Sequence, residues 1–454
     1  SLLADRSLTK LMRSFLQVTI LQVVLAVAFG QHIGSNWYYD NWCGGRLEYL
    51  EDSNCSKVFP GETADRDWKC SVPTTSVPTE TGFQADTILA DVSVDTAALE
   101  GVVNDADVNL CVIVTQRVAN ATSPTGVTLY NKYLCAGDYS ANNGYETWSS
   151  SKVFAMANAA GHLRTNESQC GEGNMKNHEF GLDGSVTGKH GLTALGDLAT
   201  IICSYDSTAG YSSNSLASYF HDIGWRDRIN NLVQDWLLVG LNATSASALS
   251  LGGNYGESTP SDLSFDVVTA NTASKDCNAD KDPRPTVHDN TLSALAAAEL
   301  VRRIAQHRDL PQPLQFPGST WRDMQMILYG AEESLFFPGQ VWGGMSADIA
   351  VYTQAALDLP TLLQQWDPSS HNQWRIFSKL GDGYSSSDDR GEIVSNAYAC
   401  LPRYDESGTL IGGLEFTVAS RASIKSDSSL DQADARLHSA MDKALQYVLN
   451  AYAI

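Results

Sequence analysis

Basic side chains are scarce in this sequence: 30 lysines and arginines stand against 52 aspartates and glutamates, a net charge of −22 at pH 7. A surface of that sign repels phosphate backbones and anionic headgroups, which excludes nucleic acid and an anionic membrane surface as main partners. CxxC-type pairs are missing, and with them the usual zinc frame. No G-x-S-x-G elbow is present, which removes the ordinary serine-hydrolase turn. No internal repeat is visible, which removes solenoids and propellers.

A clean membrane-spanning run is also lacking. The apolar segment SFLQVTILQVVLAVAFG (Ser14 to Gly30) follows Lys10 and Arg13 and is short of the roughly 20 residues a span needs. Ala26-Val27-Ala28 has the small-x-small form of a cleavage site, so residues 1–29 are expected to be an export signal. A retained N-terminal anchor and a buried core helix are the alternatives. Membrane contact is then expected only through this segment, and only if it is uncleaved. A secreted or periplasmic location follows, and nine cysteines fit that oxidising setting.

Three of the cysteines, Cys43, Cys55 and Cys70, fall in a Gly/Pro/Thr-rich extension over 30–85 with little periodicity. Cys111 and Cys135 lie in neighbouring strand-like segments and could pair. The odd count leaves at least one thiol without an intrachain partner, and Cys203 on an apolar helix is the expected one. Sequons at Asn54, Asn120, Asn166 and Asn242 matter only where the host glycosylates.

From residue 86 to 454 the pattern becomes that of one folded domain. VNLCVIVTQRV (108–118) and GVTLYNKYLC (126–135) are β-branched and aromatic runs joined by ANATSPTG, a hairpin signal. Helices are expected over 149–163, near 193–203 and over 215–239. The polar stretch 250–288 reads as a surface loop, and Asp289 to Thr291 offer caps for the helix that follows. Three strand-like runs return late, QWRIFSKLG, GEIVSNAYACLP and GGLEFTVASRA. A final helix over 429–452 then carries Leu437, Met441, Ala444 and Val448 on one face. The expected class is α+β: an antiparallel sheet formed from both ends of the chain, flanked by helices, with an inserted all-helical region.

The chemistry begins at WSSSKVFAMANAAGHLR (148–164). Residues three apart share a helix face, so the Ser149 hydroxyl and the Lys152 amine come within reach of one another. A serine hydroxyl is a weak nucleophile, and a lysine whose pKa is lowered by burial can act as its base. In a serine-rich chain this pair alone says little, since chance supplies it. Two further segments follow in order. YSSNSLASYF places Ser212-Ser213-Asn214 at a loop-to-helix junction, and FSKLGDG places Lys379-Leu380-Gly381 at the end of a predicted strand.

Together the serine-lysine helix, the S-x-N junction and the K-x-G strand resemble the penicillin-recognising serine hydrolases, the serine β-lactamases and D,D-peptidases, most nearly the class A β-lactamases. The resemblance runs over about 105–454, with 250–288 and 335–370 as insertions. It implies a β-lactamase/transpeptidase-like fold and catalysis without metal or cofactor on a small-molecule or peptide amide or ester. Ser149 would be acylated, Lys152 would activate it, and Ser212 would relay the proton, with Ser204-Tyr205-Asp206 competing for that middle motif. Asn214 would bind a substrate amide, Lys379 a substrate carboxylate, and Arg390 a second carboxylate contact. The backbone N–H groups of Ser149 and Asp382, beside Gly381, would form an oxyanion hole.

Three departures stand out. Leu380 replaces the usual Ser or Thr, whose hydroxyl would bond the carboxylate. Ser213 replaces the usual Asp, as in some D,D-peptidases. LSLGGNYGESTPSD lacks the family's E-x-x-[LI]-N pattern, and Glu257 is the one nearby carboxylate with loosely suitable spacing for the deacylating base. A penicillin-sensor-like or cell-wall-binding module with little turnover, and a D,D-peptidase, are the rival functions.

Overall fold

The computed structural model describes residues 69–72, 76–140, 143–165, 178–182, 192–194, 198–199, 202–203, 213–241, 249–255, 265–269, 286–330, 344–348, 350–358, 362, 365–366 and 374–453. The segment 1–29, Cys43, Cys55, the Ser204-Tyr205-Asp206 alternative, Ser212 and Glu257 lie outside them. Among the described residues no helix is long and apolar enough to cross a membrane.

A seven-stranded sheet forms the frame: β1 (Gln84–Ala85), β2 (Val94–Asp95), β3 (Val108–Ala119), β4 (Val127–Ala136), β5 (Arg375–Ser385), β6 (Arg390–Tyr404) and β7 (Leu410–Lys425). Its order is β1-β4-β3-β7-β6-β5, with short β2 pairing parallel to β4 and the long strands all antiparallel. The two hairpins come from opposite ends of the chain and meet at β3 and β7, where Cys111 lies opposite Ala419. Antiparallel register puts Cys111 directly across from Cys135 on β4, and the two are bonded. Cys70 is bonded to Cys400 on β6, which ties this point of the N-terminal stretch to the sheet. Cys203 is a buried thiol.

Alternation along each strand separates two cores. On one face, Leu380, Ile393, Ala397 and Val418 pack against the C-terminal helix α7 (Asp431–Tyr452), whose Leu437, Met441, Ala444 and Val448 are buried as the spacing predicts. Asp427 accepts the N–H groups of Gln432 and Ala433 at 2.9 and 2.8 Å and so caps that helix.

On the other face lie α1 (Lys152–Thr165), α2 (Ser213–Gly224), α3 (Arg226–Leu232), α4 (Ala294–Ala305) and α5 (Trp321–Tyr329). α1 is buried nearly all round, as its run of Ala, Val, Phe and Met dictates. A short helix, α6 (Val351–Ala356), joins the α7 side.

Several boundaries differ from the sequence reading. Thr193 sits in a three-residue strand, Leu192–Ala194, which pairs with His178–Leu182. A second strand on His178–Leu182, Phe265–Thr269, lies inside the expected surface loop. The cap of α4 is Ser293, whose hydroxyl accepts the Ala296 N–H at 3.2 Å, because Thr291 is drawn into a two-residue strand with Tyr145–Glu146. The expected helix over 215–239 breaks at Trp225, which takes φ +63°, and ends in a π turn at Val233–Leu237.

Candidate active site

Trp148–Ser151 is a 3-10 turn that runs straight into α1 at Lys152. With three residues per turn, Ser149 and Lys152 stack on one face. The turn is reached through Trp148 at φ +48°, a costly conformation for a bulky residue, and it is held from both sides. The indole Nε1–H donates to Glu392 at 2.9 Å. The Trp148 carbonyl accepts the Ser151 hydroxyl at 3.0 Å. Ser149 itself is half-buried, and its hydroxyl has no hydrogen-bond partner among the described residues.

Lys152 is fully removed from solvent. Its amine donates to Ser213 Oγ at 2.9 Å and Asn214 Oδ1 at 2.5 Å, both at the start of α2. Burial, and then the Lys379 charge, hold that amine well below the ordinary lysine range, while Asp382 and Asp348 pull the other way. Two consecutive residues at the start of α2, Ser213 and Asn214, thus hold the lysine.

β5 closes the site from the sheet. A Cβ on Gly381 would stand 2.6 Å from Ser150 N, 2.7 Å from Thr147 O and 2.8 Å from Ser149 N, and one on Gly383 would stand 2.3 Å from the Trp148 ring. Only glycine lets this strand lie flat on the serine turn. We expect Gly381→Ala to force that turn and β5 apart and to lower stability by about 1–3 kcal/mol, the usual cost of overpacking. Urea midpoints beside the native chain will check this.

The Leu380 N–H leaves β5 on the edge away from β6 and donates to Asp348 Oδ2 at 2.7 Å. By strand alternation, the Asp382 N–H is directed from the same edge. Lys379 is buried on the helical face. Its amine pairs with Asp348 at 3.1 Å and donates to the Leu380 carbonyl at 2.9 Å. Leu380 points the other way, into the α7 core.

Arg390 shares the face of Lys379 but lies six register rows away, opposite Ser385. Its guanidinium donates to Ser423 Oγ at 2.5 Å and Ser423 O at 2.6 Å, with Asp107 at 3.4 Å. The structure thus brings together Ser149, Lys152, Asn214, Lys379, Gly381 and Asp382, and places Arg390 apart from them.

Sequence reasoning missed Tyr255. The segment 249–255 carries this phenol to the back of the site, with its ring 5.4 Å from the Lys152 amine. Its hydroxyl lies 3.2 Å from Ser151 Oγ and 3.1 Å from His221 Nε2, and the two rings stack. Burial, then Arg226 and His288, hold His221 well below the ordinary histidine range, so it is neutral. The chain His221–Tyr255–Ser151 ends on the Trp148 carbonyl and fixes the peptide that bears the Ser149 N–H. Nothing local in the sequence marks this tyrosine.

No family model and no curated protein matches the chain. Among solved structures, 78% of it is similar to 96% of a β-lactamase from Burkholderia vietnamiensis, at 13% identity and a TM-score of 0.39. A class A β-lactamase from Mycobacterium abscessus gives 12% identity and 0.37, over 77% of this chain and 96% of that one. The C-terminal domain of the Bacillus licheniformis BlaR penicillin-receptor gives 11% and 0.32, over 79% and 96%.

Proposed function

We propose that the chain is an exported serine hydrolase that cleaves an amide or ester through an acyl-enzyme on Ser149. One observation carries this reading: the Lys152 amine is sealed from water, one 3-10 turn from Ser149, and is fixed by Ser213 and Asn214. Burial lowers the pKa of a lysine so placed, which favours the neutral amine that can take a proton.

In acylation, the Ser149 proton passes to Lys152 as Oγ bonds the substrate carbonyl carbon. The Ser149 and Asp382 N–H groups hold the oxyanion, an arrangement worth about 3–4 kcal/mol per donor. On collapse the C–N or C–O bond breaks, and the proton moves from Lys152 through Ser213 to the leaving group. Ser212, the relay expected from sequence, stays a second candidate for that transfer. In deacylation, water bonds the ester carbon and gives up a proton, and Ser149 leaves with one. The scheme draws on no metal or cofactor. The two disulfides support an oxidising, extracytoplasmic setting.

A second reading, a sensor-like module that is acylated and turns over slowly, is favoured by Tyr255. A phenol lies beside Lys152 where a water-activating carboxylate is wanted, and Glu257 remains the sequence candidate for that base. A D,D-peptidase is the third.

Intact mass after exposure to an uncharged aryl phosphonate ester tests the main reading. We expect one adduct on the native chain and none on Ser149→Ala. A native chain that stays unlabelled, or a labelled Ser149→Ala, would sink it. The lifetime of a carboxylic acyl adduct then separates turnover from sensing.

A further inference from the structure

The Lys152 amine is gripped by two oxygens and an aromatic ring. Ser213 Oγ and Asn214 Oδ1 accept its N–H groups at 2.9 and 2.5 Å, and Nζ lies over the Tyr255 ring, 5.4 Å from the centroid. Both side chains belong to the buried interior. A cation and a ring face at that separation attract, and the attraction grows where water is excluded.

The Tyr255 hydroxyl is committed elsewhere. Ser151 donates to the Trp148 carbonyl at 3.0 Å, so its Oγ accepts the Tyr255 O–H at 3.2 Å, and the phenol oxygen in turn accepts the His221 Nε2–H at 3.1 Å. A hydroxyl has one proton to give, so the three bonds run one way. Burial also holds the phenol above its ordinary range. Tyr255 therefore keeps its proton and is no base itself. The His221 ring lies nearly parallel to it, 5° apart, with centroids separated by 5.6 Å, and together with Ser151 it fixes the plane of the phenol.

From this packing, and resting on the serine-hydrolase reading above, we infer that Tyr255 is a positioning residue whose ring stabilises the ammonium formed when Lys152 takes the Ser149 proton. Acylation moves that proton from Ser149 Oγ to Lys152 Nζ as Oγ bonds the carbonyl carbon, so a cation appears in a dry channel. Burial and the Lys379 charge oppose it, while Asp382, Cys203 and Asp348 act the other way. A carboxylate in place of the ring would keep the lysine charged before substrate arrived. The weaker pull of a ring leaves the amine able to accept a proton and still favours the cation once it forms.

The test uses the full chain with Tyr255→Phe, which keeps the ring and loses the hydroxyl, and Tyr255→Met, which fills the space without an aromatic face. Labelling by an uncharged aryl phosphonate ester is followed by intact mass from about pH 5 to about pH 10, with Ser149→Ala as background. The native rate should rise as Lys152 loses its proton and then level off. In Tyr255→Met we expect the plateau to fall about tenfold and the midpoint to move about one pH unit lower. With the proton largely transferred in the transition state, the two changes cancel below the midpoint, so rates there should match the native chain. Tyr255→Phe should keep plateau and midpoint near native while melting lower, because Ser151 and His221 lose a partner. A 13C NMR titration of the lysine Cε carbons, with Lys152→Met identifying the signal, reads the same midpoint without any labelling. Rates that fall equally at every pH in Tyr255→Met overturn the inference. So does a Lys152 signal that this variant does not move to lower pH, or a Tyr255→Phe as impaired as Tyr255→Met. A native chain that stays unlabelled fails the serine-hydrolase reading instead, and the ring's part in acylation goes with it, while the titration still decides whether the ring favours the ammonium.

Discussion

Lys152→Met is expected to fold and to acylate about a thousandfold more slowly than the native chain, the usual loss when a general base is removed. Methionine fills the buried channel, so the loss isolates the proton acceptor rather than the packing. The native rate should rise with pH along a limb that lies below the ordinary lysine pKa, because only the neutral amine accepts the Ser149 proton. Burial and the Lys379 charge set that displacement. The variant should lack the limb altogether.

Stability gives an independent check with a definite sign. The folded-state pKa of Lys152 is depressed, so the unfolded chain binds the extra proton between that value and about 10.4. Within that window the unfolded state holds more protons, and stability rises with pH by up to about 1.4 kcal/mol per pH unit. The native chain therefore gains on Lys152→Met from neutral pH toward pH 10. Urea midpoints for both proteins at pH 7 and pH 9.5 will show it. Equal pH dependence in the two would mean that Lys152 is an ordinary charged lysine and no base.

The parts of the site legible in the sequence were those set by short-range geometry. A serine and a lysine three residues apart share a face in any helix, and the alternation around Lys379-x-Gly381 was plain, although the strand does not end there but runs on to Ser385. The hairpin with Cys111 opposite Cys135 and the α7 stripe were readable for the same reason. What escaped depends on contacts between distant residues. Asp348 clamps Lys379 from 31 positions away, and Tyr255 reaches Ser151 from 104. Nothing local marks either one. Leu380 was read as a lost hydroxyl in the site. The strand's two-residue period, carried from Lys379, would have turned it into the other core. The charged run in ELVRRIAQH misleads in the opposite sense, since by pattern it is a solvated face. In the fold, Glu299, Arg302 and Arg303 are all fully buried.

That buried cluster carries the largest expected effect on stability. Glu299 accepts from Arg302 Nε and Nη2 and from Arg303 Nε, each at 2.8 Å, and from the Tyr133 hydroxyl at 3.1 Å, which ties α4 to β4. Burial would raise its carboxyl, but Arg302 and Arg303 outweigh burial and bring it down to about 2. Arg303 has Nη1 and Nη2 buried without hydrogen-bond partners, so Glu299 is its one counter-ion among the described residues. Arg302 keeps Asp86 at 2.8 Å.

Glu299→Gln preserves shape yet leaves Arg303 charged, dry and uncompensated. We expect a loss of about 3–5 kcal/mol at pH 7, the usual result of removing one side of a buried pair. The sign with pH follows from the depressed value. The carboxylate's contribution is full above an unfolded pKa of about 4.3 and is lost as pH falls toward about 2. The gap between native and variant should therefore close in acid, and urea midpoints at pH 7 and pH 3 will measure it. A change of Asp86, Glu299, Arg302 and Arg303 to Asn, Leu, Met and Met removes the charges together and should cost far less than Glu299→Gln alone. If this multiple variant is the weaker of the two, the cluster stabilises by attraction in its own right. If it is the stronger, the ion network serves to set the register of α4 on the sheet, and the stability of this fold rests on its two apolar cores.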